Sequence, residues 1–414
     1  KESFFEPLTT VFDQFKFKAS YGLTGQDQIG DGNDRFYYLS QVTLNSSDRN
    51  VNWGTQLNYN PGGIIVDRYA NDEIGWEKSY KLNVGAEMRT VFGLSANVEY
   101  FTERRENILL NRIIPNTMGI IPDVKANLGK AKGKGVDMEL NYEKSFNKDL
   151  WITGRGTFTY ATSEAVEWEE PDYSETPWLS KVGKSLGQTW GYIAERLFVD
   201  EEEVKNSPTQ FGEYMAGDIK YRDVNGDGKI SELDKVPIGY PTTPEINYGF
   251  GLSVGYKGLD ASFFFQGSGR QSFWLDLKKI TPFLDGDAGE NGEDGLLGQN
   301  AVLDVIANSY WSENNRNPYA FWPRLANQSV ENNNQTSTWF MQDATFLRLK
   351  SVEIGYTVPK NLVKKFKVQN LRFYVSGTNL LCWSKFKLWD PEMAGNGLGY
   401  PVQRVINVGL NLGF

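Results

Sequence analysis

One stretch of the sequence combines the residue types and the spacing of a metal-binding loop. The twelve residues from Asp223 to Asp234 carry oxygen-bearing side chains at positions 1, 3 and 5, glycine at position 6 and a carboxylate at position 12. Loops with this EF-hand-like spacing bind calcium through those oxygens and through the backbone carbonyl at position 7. The predicted ligands are Asp223, Asn225, Asp227, Lys229, Ser231 and Asp234.

Two features distinguish this loop from a helix-flanked calcium site. Position 12 is Asp234 where glutamate is usual, and the shorter aspartate reaches less readily for bidentate ligation. The flanks are not helical, because Gly217–Tyr221 reads as extended chain and Pro237 follows the loop closely. Two interpretations stay open. One is a structural calcium ion that staples an external loop, and the other is a turn of Asp, Asn and Gly without an ion.

Aromatic residues form a second set of candidate binding residues. They concentrate in the segments that separate the predicted strands, and flat rings stack on sugar faces but also bury well in protein interfaces. Packing inside the loops is the competing interpretation for each of them. The candidates for contact with a ligand or with a covering partner are Trp168, Trp178, Trp274, Tyr310, Trp311, Phe321, Trp322 and Trp389, and Trp339 lies among them.

The composition excludes several kinds of catalytic chemistry. The chain has no histidine, so Ser-His-Asp, Cys-His and His-ligated zinc sites cannot form within it. Cys382 is the single cysteine, so the chain holds no disulfide framework and no thiol cluster. With 43 Lys and Arg against 52 Asp and Glu, the net charge of −9 argues against a nucleic-acid partner. We therefore expect a protein that is not an enzyme.

The segments that must position these residues alternate in polarity with a period of two. In the last eleven residues, Arg404–Phe414, apolar side chains alternate with polar or small ones. This alternation predicts a β-strand, and its length is close to the about 9–11 residues with which a tilted strand crosses a bilayer. Because the segment ends on an aromatic residue, we interpret it as the closing strand of an outer-membrane β-barrel.

The same alternation of side chains recurs along the chain. Between the strands, tight turns alternate with long polar connections. Bacterial outer-membrane barrels are built in this way, with the tight turns on the periplasmic side. The competing interpretation is a secreted soluble sandwich, whose loops would not sort so cleanly by length. The ten predicted strands are Phe15–Leu23, Leu82–Met88, Leu94–Tyr100, Val136–Tyr142, Ile152–Tyr160, Tyr248–Tyr256, Leu259–Phe265, Phe346–Val358, Leu371–Thr378 and Arg404–Phe414.

One strand breaks the alternation. Leu347 and Leu349 are out of phase with Val352, so we expect a bulge near Lys350. The connections also differ in character, and Lys360–Lys367 reads as one short amphipathic helix in a periplasmic turn. The expected long connections are Arg105–Lys134, an extracellular excursion over 164–244 that contains the loop at 223–234, and a second extracellular loop over 267–343 that is acidic at Asp285–Gly295.

Several motifs together resemble the SusC/RagA family of TonB-dependent outer-membrane transporters of Bacteroidetes-type bacteria. The resemblance implies an all-β fold, a transmembrane barrel of 22 antiparallel strands with an N-terminal plug. Residues 1–414 would form its C-terminal part, and the plug and the earlier strands are expected outside this chain. The motifs that carry the resemblance are Phe17–Gly25, Gly217–Ile219 with the loop that follows, Leu371–Leu380, Trp389–Glu392 and Asn407–Phe414.

The resemblance also implies a function and a set of partners. Members of the family actively import bulky nutrients, most often oligosaccharides and in some cases oligopeptides. The implied partners are a SusD-like surface lipoprotein that acts as a lid, the TonB-ExbB-ExbD complex acting through the part outside this chain, and the surrounding membrane lipid and lipopolysaccharide. A passive porin and a calcium-stabilised surface adhesin are the alternatives from other functional classes.

Overall fold

The computed structural model describes residues 3–27, 36–120, 124–283, 300–364 and 367–414. The acidic stretch Asp285–Gly295 and the residues Lys365 and Phe366 of the basic turn lie outside these ranges. The described strands are β1 (Phe12–Gln26), β2 (Gln41–Ser46), β3 (Gly63–Arg68), β4 (Glu77–Thr90), β5 (Leu94–Asn111), β6 (Lys125–Ser145), β7 (Leu150–Glu167), β8 (Thr189–Gly191), β9 (Ala194–Leu197), β10 (Ile219–Tyr221), β11 (Val236–Ile238), β12 (Ile246–Tyr256), β13 (Leu259–Gly269), β14 (Ser272–Trp274), β15 (Met341–Asp343), β16 (Phe346–Thr357), β17 (Asn370–Ser384) and β18 (Val405–Gly413).

Helices in the described part of the chain are short. None of them is long and apolar enough to span a membrane. The α-helices are α1 (Glu201–Lys205), α2 (Leu277–Ile280), α3 (Asp304–Ala307) and α4 (Lys360–Val363). Short 3-10 helices lie at Ser3–Leu8, Ser47–Arg49, Asn116–Met118, Pro177–Leu179, Glu232–Asp234, Glu331–Asn334 and Pro391–Met393.

Ten long strands form one continuous antiparallel sheet, which we call the wall. Its order is β1-β4-β5-β6-β7-β12-β13-β16-β17-β18, so strands that follow one another along the chain are neighbours once the small loop strands are set aside. The eight remaining described strands form four two-stranded ribbons. The ten predicted strands are all confirmed, and the described residues contain no second large sheet of the kind that a sandwich requires.

Residue pairing keeps the two faces of the wall distinct from edge to edge. Val408 pairs with Val375, which pairs with Ile354, and the same apolar face continues strand by strand to Phe17 on β1. The side chain of Val408 is 82% exposed, as expected for a residue whose natural neighbour is lipid. We call this the outward face, and the face that carries Ser376 and Glu353 the inward face.

The predicted bulge at Lys350 is confirmed. On β13, Phe264 pairs with Ser351 and Phe265 pairs with Leu349, so Lys350 has no partner residue there, and the pairing with β17 shifts at the same point. The extra residue restores the phase of the strand, because Leu349 returns to the outward face and Arg348 turns inward.

One expected connection is wrong. The segment Arg105–Lys134 is not a loop, because β5 continues to Asn111 and β6 already begins at Lys125. The apolar alternation ends there, but backbone pairing does not need it outside the membrane, and charged pairs replace the apolar ones across the ladder. An example on the outward face is Lys132 with Glu164 at 3.1 Å.

A tight turn joins β12 to β13 at Lys257 and Gly258. Both residues have positive φ, 51° and 86°, which is the conformation that a two-residue hairpin of type I′ requires. The long connections are found at 168–245 and 270–345, within one to four residues of the expected limits. They contain the short strands β8 to β11 and β14 to β15, so the described parts of both connections are folded.

Deletion of single residues in β16 tests the role of the bulge. Removal of Lys350 takes out the extra residue and leaves Leu349 outward and Arg348 inward, so we expect the full-length protein to fold normally. Removal of Ile354 instead places Glu353 on the lipid face, away from Arg372, and should lower the folded fraction measured by heat-modifiable electrophoretic mobility. Equal folded fractions for the two deletions would contradict this role of the bulge.

Candidate functional site

The inward face of the wall carries charges that are paired across neighbouring strands. Lys18 on β1 donates from Nζ to Glu87 Oε1 on β4 at 2.8 Å and to Glu99 Oε1 on β5 at 2.7 Å. All three side chains remain about one-third exposed. Such solvated pairs contribute between about 0 and 1 kcal/mol each, so their main effect is to make this part of the wall hydrophilic.

A second inward cluster lies at the other side of the sheet. Arg372 on β17 contacts Asp260 Oδ2 on β13 at 2.5 Å and Glu353 Oε1 on β16 at 2.7 Å. Its guanidinium also lies 5.3 Å from the centre of the Tyr374 ring. One cation thus joins three strands on the inward face, and the cluster exposes polar atoms where the opposite face exposes only Ile354 and its apolar neighbours.

Large inward side chains lie over glycines of the neighbouring strand. Arg372 covers Gly355 on β16, and Tyr374 covers Gly409 on β18, so closely that a Cβ at either glycine would overlap the covering side chain. A larger residue at either position would require the covering side chain to move aside. Small inward residues alone suggest a roomy lumen, but the structure fills the space above these two glycines.

The two long connections share one hydrophobic core, which we call the loop core. Its members come from the segments 192–230, 273–322 and 340–344 and from Phe386 in the last loop. Loop segments that bury this many apolar side chains hold a defined shape. The buried members are Tyr192, Leu197, Ile219, Tyr221, Ile230, Phe273, Leu275, Ile280, Ile306, Trp311, Ala320, Trp322, Phe340, Ala344 and Phe386.

An ion-pair cluster fastens the last loop to the wall. Arg348 on β16 points inward and is 2% exposed. Its Nη2 lies 2.5 Å from Asp390 Oδ1 and 2.9 Å from Glu392 Oε2, both in the loop between β17 and β18. Because Arg348 shares the inward face with Glu353, the loop that it holds covers the inward side of the wall. Sequence reasoning missed this residue, since an arginine in a strand gives no signal of its partner.

Two asparagines of the second connection fasten it to the first. Asn332 Nδ2 donates to the carbonyl of Ile219 at 2.7 Å, and the amide of Ile219 donates to Asn333 Oδ1 at 2.9 Å. Asn333 Nδ2 donates to Asp218 Oδ1 at 2.8 Å, and Arg324 also contacts this carboxylate at 2.9 Å. Burial raises the pKa of Asp218 above its ordinary value, and the Arg324 guanidinium acts in the opposite direction.

The structure places most of the candidate aromatic residues within or against the loop core. Trp311 and Trp322 are buried members, and Tyr310, Phe321, Trp339 and Trp389 pack against it. Elsewhere, Trp178 Nε1 donates to the carbonyl of Leu233 at 2.8 Å, and Trp168 is half-buried directly after β7. The rings of Trp311 and Trp322 contact other residues of the core, which leaves little of either surface for an external ligand.

Trp274 differs from the other candidates because it lines a large cavity, whereas the cavity that Trp322 lines has a volume of only about 20 Å³. The Trp274 cavity has a volume of about 420 Å³ and opens between the end of β14 and the segment that follows Gln328. Trp274 Nε1 donates to the carbonyl of Ser337 at 2.8 Å, which fixes the indole ring. Amide, hydroxyl and carboxyl groups also line the cavity, contributed by Asp276, Ser329, Asn334, Gln335 and Thr336, and the remaining lining residues are Leu275, Leu277, Lys278 and Phe340. A fixed aromatic ring beside several hydrogen-bonding groups suits a bulky polar ligand.

The residues predicted to bind calcium form a tight loop that satisfies its own carboxylates. Asp223 accepts from the amides of Gly226 at 2.7 Å and Gly228 at 2.8 Å. Asp234 is buried and accepts from the amides of Val224 and Ser231, both at 2.8 Å. The oxygen donors suit a hard cation, but nowhere in the described part of the chain do three Asp, Glu, Cys or His side chains gather closely enough to hold a metal ion.

This chain resembles known proteins along its whole length. It is 25% identical to the TonB-dependent receptor P3 and 28% identical to the TonB-dependent receptor P26, both of Formosa agariphila, and 22% identical to the TonB-dependent receptor SusC of Bacteroides thetaiotaomicron. Each match covers 100% of this chain. The chain spans 40%, 41% and 39% of the lengths of these relatives, respectively. No family model matches it.

The fold is similar to solved structures of the same kind. A structure of the RagAB peptide transporter matches with a TM-score of 0.67 and 23% identity, covering 97% of this chain and 41% of that chain. The RagAB peptide importer in its open-open state matches with a TM-score of 0.67, covering 98% and 40%. The resemblance to SusC/RagA-like TonB-dependent transporters is confirmed, as are the fold of a part of a larger barrel and the location in the outer membrane.

Removal of the Arg348 side-chain charge should release the last loop. Arg348→Met leaves the carboxylates of Asp390 and Glu392 without their cation, and breaking a buried ion pair costs about 3–5 kcal/mol. We expect faster hydrogen exchange in residues 385–403 of the full-length protein and unchanged exchange in β12 and β13. Lys385→Met is the matched control, because this lysine is 85% exposed and contacts Asp343 only at 3.4 Å. Equal protection in both variants would show that Arg348 does not hold the loop.

Proposed function

We propose that this chain is the C-terminal part of an outer-membrane importer that takes up a bulky polar nutrient, with an oligosaccharide as the first candidate. The observation that carries the proposal is the contrast between the two faces of the wall. The outward face is apolar, whereas the inward face is lined by paired charges and is covered at one end by a folded loop assembly. A wall with these faces separates lipid from a hydrophilic interior.

The Trp274 cavity is the proposed point of ligand contact. An indole ring presents a flat apolar surface to a sugar ring, and the amides of Asn334 and Gln335 can donate to and accept from hydroxyl groups. The same groups can pair with a peptide backbone, so an oligopeptide is the alternative ligand. The name of the RagAB peptide transporter supports that alternative, and the names of the TonB-dependent receptors support import in general.

Partners and energy source follow from the same family resemblance. A SusD-like surface lipoprotein would cover the loop assembly, and the TonB-ExbB-ExbD complex would supply energy through the part of the protein outside this chain. In this arrangement the chain itself binds, orients and admits the ligand, and it carries out no chemical reaction. A passive porin would need neither partner, and a surface adhesin would admit no ligand.

Uptake by cells that carry the full-length protein tests the proposal. We expect accumulation of a labelled oligosaccharide that stops when the proton-motive force is collapsed or the TonB partner is deleted. Trp274→Ala should weaken ligand binding about tenfold in the purified complex, equivalent to about 1.4 kcal/mol, because the aromatic contact is lost. Tyr319→Ala is the control, since this ring is exposed and lies outside the cavity. Uptake that persists without energy would identify a porin, and uptake of peptides alone would identify the alternative importer.

We also propose that calcium binds the loop at Asp223–Asp234 and staples the first long connection. The spacing of the oxygen donors supports this proposal. In the present structure the carboxylate of Asp234 accepts hydrogen bonds from the amides of Val224 and Ser231. To bind the ion, this carboxylate must turn away from those amides and toward the centre of the loop. The ion would have a structural role, because the loop is joined to the loop core through the buried Ile230.

Chelation of calcium tests this second proposal. We expect removal of the ion from the full-length protein to increase proteolysis within residues 206–236, and added calcium to restore resistance. Asp227→Asn should abolish the effect, since it removes one ligand charge at an exposed position. Glu213→Gln, an exposed carboxylate outside the loop, should behave like the unmodified protein. If calcium does not change the proteolysis of the unmodified protein, the loop is a turn that binds no ion.

A further inference from the structure

A large cavity lies on the outward face, away from the surface assigned to nutrient transport. It has a volume of about 930 Å³ and is formed by strands β1, β4, β5, β6 and β7 together with the segments 183–188 and 239–245. The residues of β1, β4, β5 and β6 that line it include Tyr21, Leu82, Tyr100 and Lys134. These four share the outward face with the apolar residues that meet lipid, as the residue pairing requires.

The cavity lies where the apolar part of the outward face ends. Along β6 the outward residues run from Tyr142 through three apolar side chains to Lys134, and the next outward residue is Lys132. The eight residue steps from Tyr142 to Lys134 span about 26 Å at roughly 3.3 Å per residue, and strand tilt reduces this to about 20 Å. Lys134 therefore lies near the level at which the hydrocarbon layer gives way to lipid headgroups.

Three ion pairs take up most of the charge of the cavity, and a fourth carboxylate of its lining, Glu103, contacts Lys81 at 3.9 Å. Arg104 pairs with Glu106 at 2.7 Å, Lys132 with Glu164 at 3.1 Å, and Arg270 with Glu245 at 2.7 Å. Within the described residues, Lys134 and Lys184 have no carboxylate partner, and both are exposed. Two ammonium groups in one cavity without a counter-ion attract a ligand of negative charge.

Tyrosines complete the chemistry of the site. Tyr21, Tyr80 and Tyr100 on the wall and Tyr240 in the adjoining segment all line the cavity. Tyrosine favours the boundary of a membrane because its ring is apolar and its hydroxyl group is polar. In the strand register Tyr100 lies one step below Lys134, Tyr21 lies level with it and Tyr80 lies one step above it. The apolar residues below Tyr100, the phenols and the two ammonium groups together match a lipid with acyl chains and an anionic headgroup.

We propose that this cavity binds the phosphate-bearing headgroup of a lipid in the surrounding outer leaflet, with Lys134 and Lys184 as the phosphate ligands. The acyl chains of the lipid lie along the outward apolar residues below Tyr100, and the headgroup fills the cavity. The bound lipid bridges the wall and the segment that carries Lys184. The site depends on the location in the outer membrane and is independent of nutrient import.

Binding of lipid A to the purified full-length protein in neutral detergent tests the site. We expect diphosphoryl lipid A to bind at least tenfold more tightly than the dephosphorylated lipid, because the phosphates supply the charge. The double variant Lys134→Glu and Lys184→Glu should abolish that difference, and the double variant with arginine at both positions should retain it. Lys144→Glu is the matched control, since Lys144 lies on the same strand and the same face at the opposite end.

The outcomes separate a lipid site from a plain anion site and from non-specific adsorption of lipid. Inorganic phosphate should bind far more weakly than the lipid, and equal affinities would show an anion site that does not recognise lipid. Equal binding of the two lipids, or loss of binding in the Lys144→Glu control, would overturn the proposal. Heat-modifiable mobility checks that each variant is folded, so that a loss of binding reports on the site. Loss of lipid binding with normal nutrient uptake would leave the importer proposal intact.

Discussion

The structure depends on one constraint, which is that backbone pairing must continue across the whole wall without changing which face each residue occupies. In lipid an unpaired backbone amide or carbonyl has no water to pair with, so every strand must be bonded along its length. Because side chains alternate, the same ladder also fixes which residues meet lipid and which meet the interior. The bulge at Lys350 is consistent with this constraint. It interrupts the ladder by one residue and so keeps Leu349 outward and Arg348 inward.

The inward side chains of the wall determine how the interior is arranged. Charged residues pair with neighbouring strands, and one of them, Arg348, reaches beyond the wall to the last loop. The long connections then fold around their own hydrophobic core, fastened to each other by Asn332 and Asn333. The loop assembly is therefore positioned by a few polar contacts and given its shape by apolar burial. Most of its aromatic residues serve that burial, which leaves Trp274 as the candidate that lines a cavity large enough for a bulky ligand.

The sequence predicts those parts of the fold whose signal is periodic and local. Alternation located all ten wall strands, and a break in phase located the bulge at Lys350. The strand ends near Asn111 and Lys125 were missed, because outside the membrane the ladder continues with charged residues that carry no apolar period. The partners of Arg348 and Asn332 were missed for a different reason: each contact joins residues that are distant along the chain. For the same reason the sequence could list the aromatic candidates but could not separate Trp311, in the core, from Trp274, at a cavity.

The glycines beneath Arg372 and Tyr374 have a consequence for how the width of the interior is set. A glycine on one strand and a large side chain on the next share one volume, so the free width of the barrel interior depends on the pair and not on either residue alone. Enlarging Gly409 alone would push Tyr374 farther into the interior, whereas shortening Tyr374 alone would leave a gap above the backbone. Changes of interior width among related proteins are therefore expected to come as paired substitutions on adjacent strands.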